Sequence, residues 1–185
     1  MRQHTDAGFS LVEVLVSLLV LSVGIIGAAS MQLTAFRNNQ QAGFHSIALQ
    51  LGTDLADQIH GLTVSKISDA SNPFLSLDFK SGDSADTPTA LCFGTEAGCD
   101  DMALAAFGIH EVQARLKRLL PQGRIKVCRD AMPWDDGSNS FTWDCHAGSS
   151  DAPVVVKLGW REPLAGVSAG AKIATTPQLV LLVQS

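Results

Sequence analysis

Residues 14–36 carry no charged side chain, and they follow a glutamate at position 13. As a helix, that run spans roughly 35 Å, enough to cross the hydrocarbon core of a bilayer. Its Leu, Val and Ile residues would fall on every side of the helix, whereas a water-facing helix needs them on one stripe only. A carboxylate at the start of such a span is costly unless it finds a partner. No cation lies a turn or two from Glu13 in the apolar run, so its partner must come from elsewhere.

The helical pattern continues past Arg37 with a different character. Phe44, Ile47, Ala48, Leu51, Leu55 and Ile59 recur at three- and four-residue steps, while Asn38, Gln40, Gln50, Asp54, Asp57 and Gln58 take other faces. Gly61 reads as the stop. One helix over 10–60 would be about 75 Å long, and its amphipathic second half must dock on something. The chain has 185 residues and a formal net charge of −5, which suits one modest domain plus an appendage. That acidity supplies no basic field for phosphate, so no nucleic-acid partner is expected.

From Leu62 to Asp101 the signals are those of loops, with Asn72-Pro73, Ser81-Gly82 and Thr87-Pro88 as markers. Asp100 and Asp101 cap a helix over 102–120, with an interruption expected near Gly108 and a stop at Pro121. Arg115, Lys117 and Arg118 in its last turns complement the helix dipole. Beyond Pro121 the period changes to two: residues 124–129, 140–145, 154–160 and 178–184 read as four strands of an antiparallel meander. The expected fold is α+β, with the long N-terminal helix, apolar then amphipathic, packed on a four-stranded antiparallel sheet.

Four cysteines, Cys92, Cys99, Cys128 and Cys145, all follow the apolar run. An even number in a segment that would be exported suits two disulfides, for which the sequence allows three pairings. Nearest neighbours are preferred, since Cys92 with Cys99 closes a small loop and Cys128 with Cys145 ties two β-like stretches. No C-x-x-C or H-x-x-x-H spacing accompanies them, and His110 and His146 read as ordinary polar residues, so no metal or cofactor is expected. The chain has no G-x-S-x-G elbow, H-E-x-x-H or Gly-rich phosphate loop, and it is not expected to be an enzyme.

An ordinary signal peptide cut after Ala28-Ala29-Ser30 would explain export. It would leave Glu13 inside the apolar region and make the helical pattern across Met31 an accident. A simple signal anchor also leaves Glu13 unexplained. Gly8-Phe9-Ser10-Leu11-Val12-Glu13 with the apolar run behind it resembles the signal of type IV pilins and type II secretion pseudopilins. The resemblance implies cleavage between Gly8 and Phe9 by a prepilin peptidase, N-methylation of Phe9, and pairing of the Glu13 carboxylate with the N-terminal amine of a neighbouring subunit. Such pairing would offset desolvation and punish wrong axial register. It further implies residues 1–8 as leader, 9–36 as membrane and filament-core helix, 37–61 as amphipathic helix and 62–185 as head.

Within that head, Gly98-Cys99, Leu119-Leu120-Pro121, Val127-Cys128-Arg129-Asp130, Cys145 and the stretch Val154 to Glu162 are similar to the PilV type of minor pilin. This likeness supports the Cys128–Cys145 pairing. It implies a low-abundance subunit that primes pilus assembly near the filament tip and supports twitching motility or adhesion. Its partners would be other minor and major pilins, the prepilin peptidase, the inner-membrane assembly platform and a tip adhesin. It would sit in the bacterial inner membrane with its head in the periplasm, and on the pilus after assembly. A minor pseudopilin is the alternative. Asp135-Asp136-Gly137-Ser138-Asn139 lacks the spaced ligands of a calcium loop and reads as a turn. Trp134, Trp143 and Trp160 read as core or strand-face residues and not as a ligand platform, and Trp134, in this Asp-rich loop, is the one to test for partner contact if exposed.

Overall fold

The computed structural model describes residues 10–64, 69–88, 90–93, 98–148, 152–161 and 176–183. The chain divides into two units, Met1–Gly43 and Phe44–Ser185. A single helix, α1, runs over Leu11–Val64. It passes through Gly61, which keeps a right-handed conformation and not the left-handed one that ends a helix. Gly24 and Gly27 do not interrupt it.

In the second unit Ala48, Leu51, Leu55 and Ile59 of α1 are fully buried in one core, the stripe that the three- and four-residue steps predict. Gly52 lies on that stripe, with the side chains of Leu181 and Leu158 where a Cβ would stand. The missing side chain lets helix backbone approach the sheet. Helix α2, Asp101–Leu119, is continuous through Gly108, on which Gln58 of α1 rests, so the glycine serves close approach and not the expected interruption. Asp100 caps α2 by accepting a hydrogen bond from the Ala103 N–H at 2.8 Å. Arg115 pairs with Asp54 of α1 at 2.7 Å, and Lys117 donates to the Asp83 carbonyl.

Among the described residues there are six strands, one before Pro121 and five after it: β1 Asp78–Lys80, β2 Arg124–Arg129, β3 Trp134–Asp135, β4 Ser140–Phe141, β5 Val154–Gly159 and β6 Leu179–Val183. The main sheet has the order β1-β2-β5-β6, antiparallel throughout. It is the expected four-stranded meander with one different member. Residues 140–145 do not join it, since only Ser140 and Phe141 pair, with β3, in a separate hairpin. The fourth place belongs to β1, in a region read as loop. Its Phe79 is buried opposite Ile125, and Asp78 takes two hydrogen bonds from Arg124 at 2.7 and 2.9 Å. Three residues are too few to display a period.

Ile125, Val127, Val156 and Leu158 share the sheet face that meets the helices. Alternation puts Arg124, Lys126, Cys128, Val155 and Lys157 on the other. This second face is covered as well: Trp143 lies against Gly159 and under the Arg124 guanidinium, 4.3 Å from ring centroid to Cζ. The result is an α+β, pilin-like fold.

Candidate assembly segment and clasped hairpin

The N-terminal turn of α1 is built on Ser10, whose carbonyl accepts from the amides of Glu13 at 3.0 Å and Val14 at 3.3 Å. Glu13 therefore sits in the first turn, where a carboxylate interacts favourably with the helix dipole. Among the described residues its carboxylate has no hydrogen bond or ion pair. The hydroxyls of the apolar run behave differently. Ser17 donates to the Glu13 carbonyl at 2.7 Å, Ser22 to that of Leu19 at 2.8 Å, Ser30 to that of Gly27 at 2.8 Å and Thr34 to that of Ser30 at 3.1 Å. Each of these four hydroxyls is satisfied within the helix, which suits a segment without water.

Leu11, Val12, Val14, Ile26 and Phe36 are all more than 45% exposed. The segment is long and apolar enough to cross a membrane. An all-round apolar surface of this kind needs lipid or other apolar helices. Gly8 and Phe9, the residues of the expected cleavage and methylation, lie outside the described residues.

In the head, Cys92 is bonded to Cys99 and Cys128 to Cys145. The second bond begins a clasp that sequence reasoning missed. Lys157, fully buried, donates through Nζ to Asp130 Oδ2 at 2.5 Å, to the Thr142 carbonyl at 2.8 Å and to the Asp144 carbonyl at 2.6 Å. All three ammonium donors are thus engaged. Asp130 Oδ1 accepts from the amides of Met132 at 3.0 Å and His146 at 3.2 Å. Burial pushes the Asp130 carboxyl up, but the Lys157 hydrogen bond and those two amides outweigh it and hold the group below its ordinary value. Lys126 and Lys157 stand directly opposite each other, a repulsive pairing unless each has its own acid. Lys126 approaches Asp78 at 3.7 Å, and Lys157 has Asp130.

The clasp carries the hairpin of β3 and β4. Thr142 N–H donates to the Pro133 carbonyl and Ala131 N–H to that of His146. At the tip, the Asp135 carboxylate accepts from Gly137 N–H, Ser138 N–H and Ser138 Oγ, which hold it below its ordinary pKa. Asn139 adopts φ +49°, a conformation that asparagine tolerates. The Asp-rich stretch is a turn. Trp160 is buried in the core, Trp143 is half-buried on the second sheet face, and Trp134 is exposed.

An open cleft of about 400 Å³ lies between the turn at Pro73–Ser76 and α2, lined by Asp78, Asp83, Asp86, Phe79, Ile109 and Gln113. Its carboxylates already have internal partners. Asp78 holds Arg124, Asp83 accepts from Lys80 N–H at 2.9 Å, and Asp86 accepts from the buried Gln113 amide at 2.8 Å. His110 also closes on the Asp86 carbonyl. The cleft is therefore a loop anchored to a helix.

Residues 4–29 match the family model described as the prokaryotic N-terminal methylation motif. No curated protein and no solved structure matches the chain. The motif is a prepilin-type signal, and with the apolar helix it supports a membrane-anchored protein of the type IV pilin or pseudopilin kind, a structural subunit. In general, such a motif implies interaction with a prepilin peptidase and with other pilins.

Proposed function

We propose that this chain is a minor pilin of the PilV type, which joins other minor pilins in priming a type IV pilus near its tip and supports twitching motility or adhesion. The observation that carries the reading is the methylation motif on a helix whose apolar surface, and whose Glu13 carboxylate among the described residues, have no partner. In this reading residues 1–8 are the leader, 9–36 the membrane and filament-core segment, 37–61 the amphipathic helix and 62–185 the head. Cleavage falls after Gly8 and frees Phe9 for methylation. Glu13 then meets the N-terminal amine of the next subunit, an ion pair in an apolar setting that breaks if either partner is displaced. Before assembly the head faces the periplasm from the inner membrane, and the assembly platform extracts the subunit into the filament.

Processing tests the reading directly. Co-expression with a prepilin peptidase should yield an intact mass that begins at N-methylated Phe9, and Gly8→Ala should leave the precursor uncut. A mature chain beginning at Met31 would overturn the proposal in favour of an ordinary signal peptide.

A further inference from the structure

Residues 131–146 are bonded to themselves as one arm. Ala131 N–H donates to the His146 carbonyl and Thr142 N–H to the Pro133 carbonyl, with β3 and β4 paired beyond them. Asp130 stands at the root of the arm. Its Oδ1 accepts from the amides of Met132 and His146, and its Oδ2 accepts from Lys157 Nζ. Among the described residues, the arm is held onto the sheet by few links. Lys157 of β5 donates to the Thr142 and Asp144 carbonyls, Trp143 lies against Gly159 and under the Arg124 guanidinium, and Cys145 is bonded to Cys128 of β2.

The non-covalent links oppose one another. Lifting the arm about Asp130 exchanges the two carbonyl acceptors of Lys157 for water and leaves the Asp130 carboxylate in place, so the ammonium keeps its counter-charge. Thr142 Oγ1 and Trp143 Nε1 are buried without a hydrogen-bond partner among the described residues, and lifting gives each of them water. Against this stands the loss of the Trp143 ring's burial and of its contact with Arg124. The covalent bond therefore decides the position of the arm. A disulfide between cysteines 17 residues apart favours the closed state by about a hundredfold through the chain entropy that it removes. Cys128 and Cys145 are both half-buried, not sealed in the core. We propose that the Cys128–Cys145 bond is a redox latch over Lys157, with a dithiol as its co-reactant. The dithiol's two electrons and two protons pass to the cysteine sulfurs, the S–S bond opens to two thiols, and the dithiol closes into its own disulfide. The arm then swings off the sheet and uncovers the Lys157 ammonium and the Trp143 ring, while the sheet and helices stay folded. This device lies wholly in the second unit and stands whether or not the chain enters a filament.

The test measures how fast Lys157 of the full chain in detergent is acetylated by an N-hydroxysuccinimide ester, read by peptide mass. Lys126, on the same sheet face and close to its own acid, Asp78, is the reference. In the oxidised chain Lys126 should react and Lys157 should not. Dithiothreitol should raise the Lys157 rate about a hundredfold, to within about tenfold of Lys126. Cys128→Ser combined with Cys145→Ser should give the same rate without reductant. Cys92→Ser combined with Cys99→Ser should leave Lys157 protected until the dithiol is added, because that loop makes no contact with Lys157 among the described residues. Amide exchange at Val127, Val156 and Leu158, in the middle of the sheet, should stay slow in every case. If the Cys128 and Cys145 variant fails to fold, the dithiol-treated natural chain decides alone. Lys157 still protected after both disulfides are reduced would overturn the latch. So would exchange that quickens across the whole sheet on reduction, since the head would then be unfolding and not opening, or Lys157 labelling set free by loss of the Cys92–Cys99 bond.

Discussion

Lys157 and Asp130 bring opposite charges together where neither meets water. Removing one partner leaves the other buried and unpaired, so Lys157→Met or Asp130→Asn should each cost about 3–5 kcal/mol of head stability. The double variant should lose less than either single change, measured by denaturant unfolding of the full chain in detergent. A double variant as unstable as the sum of the two would refute the pairing. The same residues set a pH dependence. Asp130 and Asp78 have folded pKa values below the ordinary 3.8, so the unfolded chain takes up protons first as pH falls. The stability they contribute is present above about pH 4 and is lost below it, through the folded values. Unfolding midpoints should hold between pH 7 and 5 and drop toward pH 3, and Asp130→Asn should flatten that drop. Alternation along β5 puts Lys157 on the sheet face away from the helices. Whether that outward face meets water is decided by residues 130–148, whose course no local pattern reveals.

At the level of elements, the helices were the most legible because their signals are local. Asp100 in front of a periodic stretch marks the start of α2, and its side chain does cap Ala103 N–H. Asp100→Ala should remove about 0.5–2 kcal/mol and speed amide exchange at Ala103 and Leu104; unchanged exchange there would deny the cap its role. The strands were less legible. The run at 140–145 alternates as a strand should, yet its carbonyls at Thr142 and Asp144 accept from Lys157, and Cys145 is tied to Cys128. β1 escaped notice for the opposite reason. Its place depends on the Asp78–Arg124 pair and on Phe79 filling the core beside Ile125, partners more than forty residues away.

For the whole molecule, the proposed function is tested at Glu13. Glu13→Ala should leave membrane insertion intact while sharply reducing incorporation into filaments, scored by immunoblotting sheared surface fractions of a complemented deletion strain. Normal incorporation would count against the pairing role. The deletion strain itself separates the pilin from the pseudopilin reading, with twitching lost in one case and exoprotein secretion in the other. The sequence by itself determined the apolar span with its one carboxylate, the amphipathic stripe from Phe44 to Ile59 and the α+β class, because composition and period are properties of a segment alone. Only the tertiary structure decided which strands share the sheet, what covers its second face and where the Lys157 charge is neutralised. Those outcomes depend on hydrogen-bond donors and acceptors from distant segments, which must find each other wherever water is excluded.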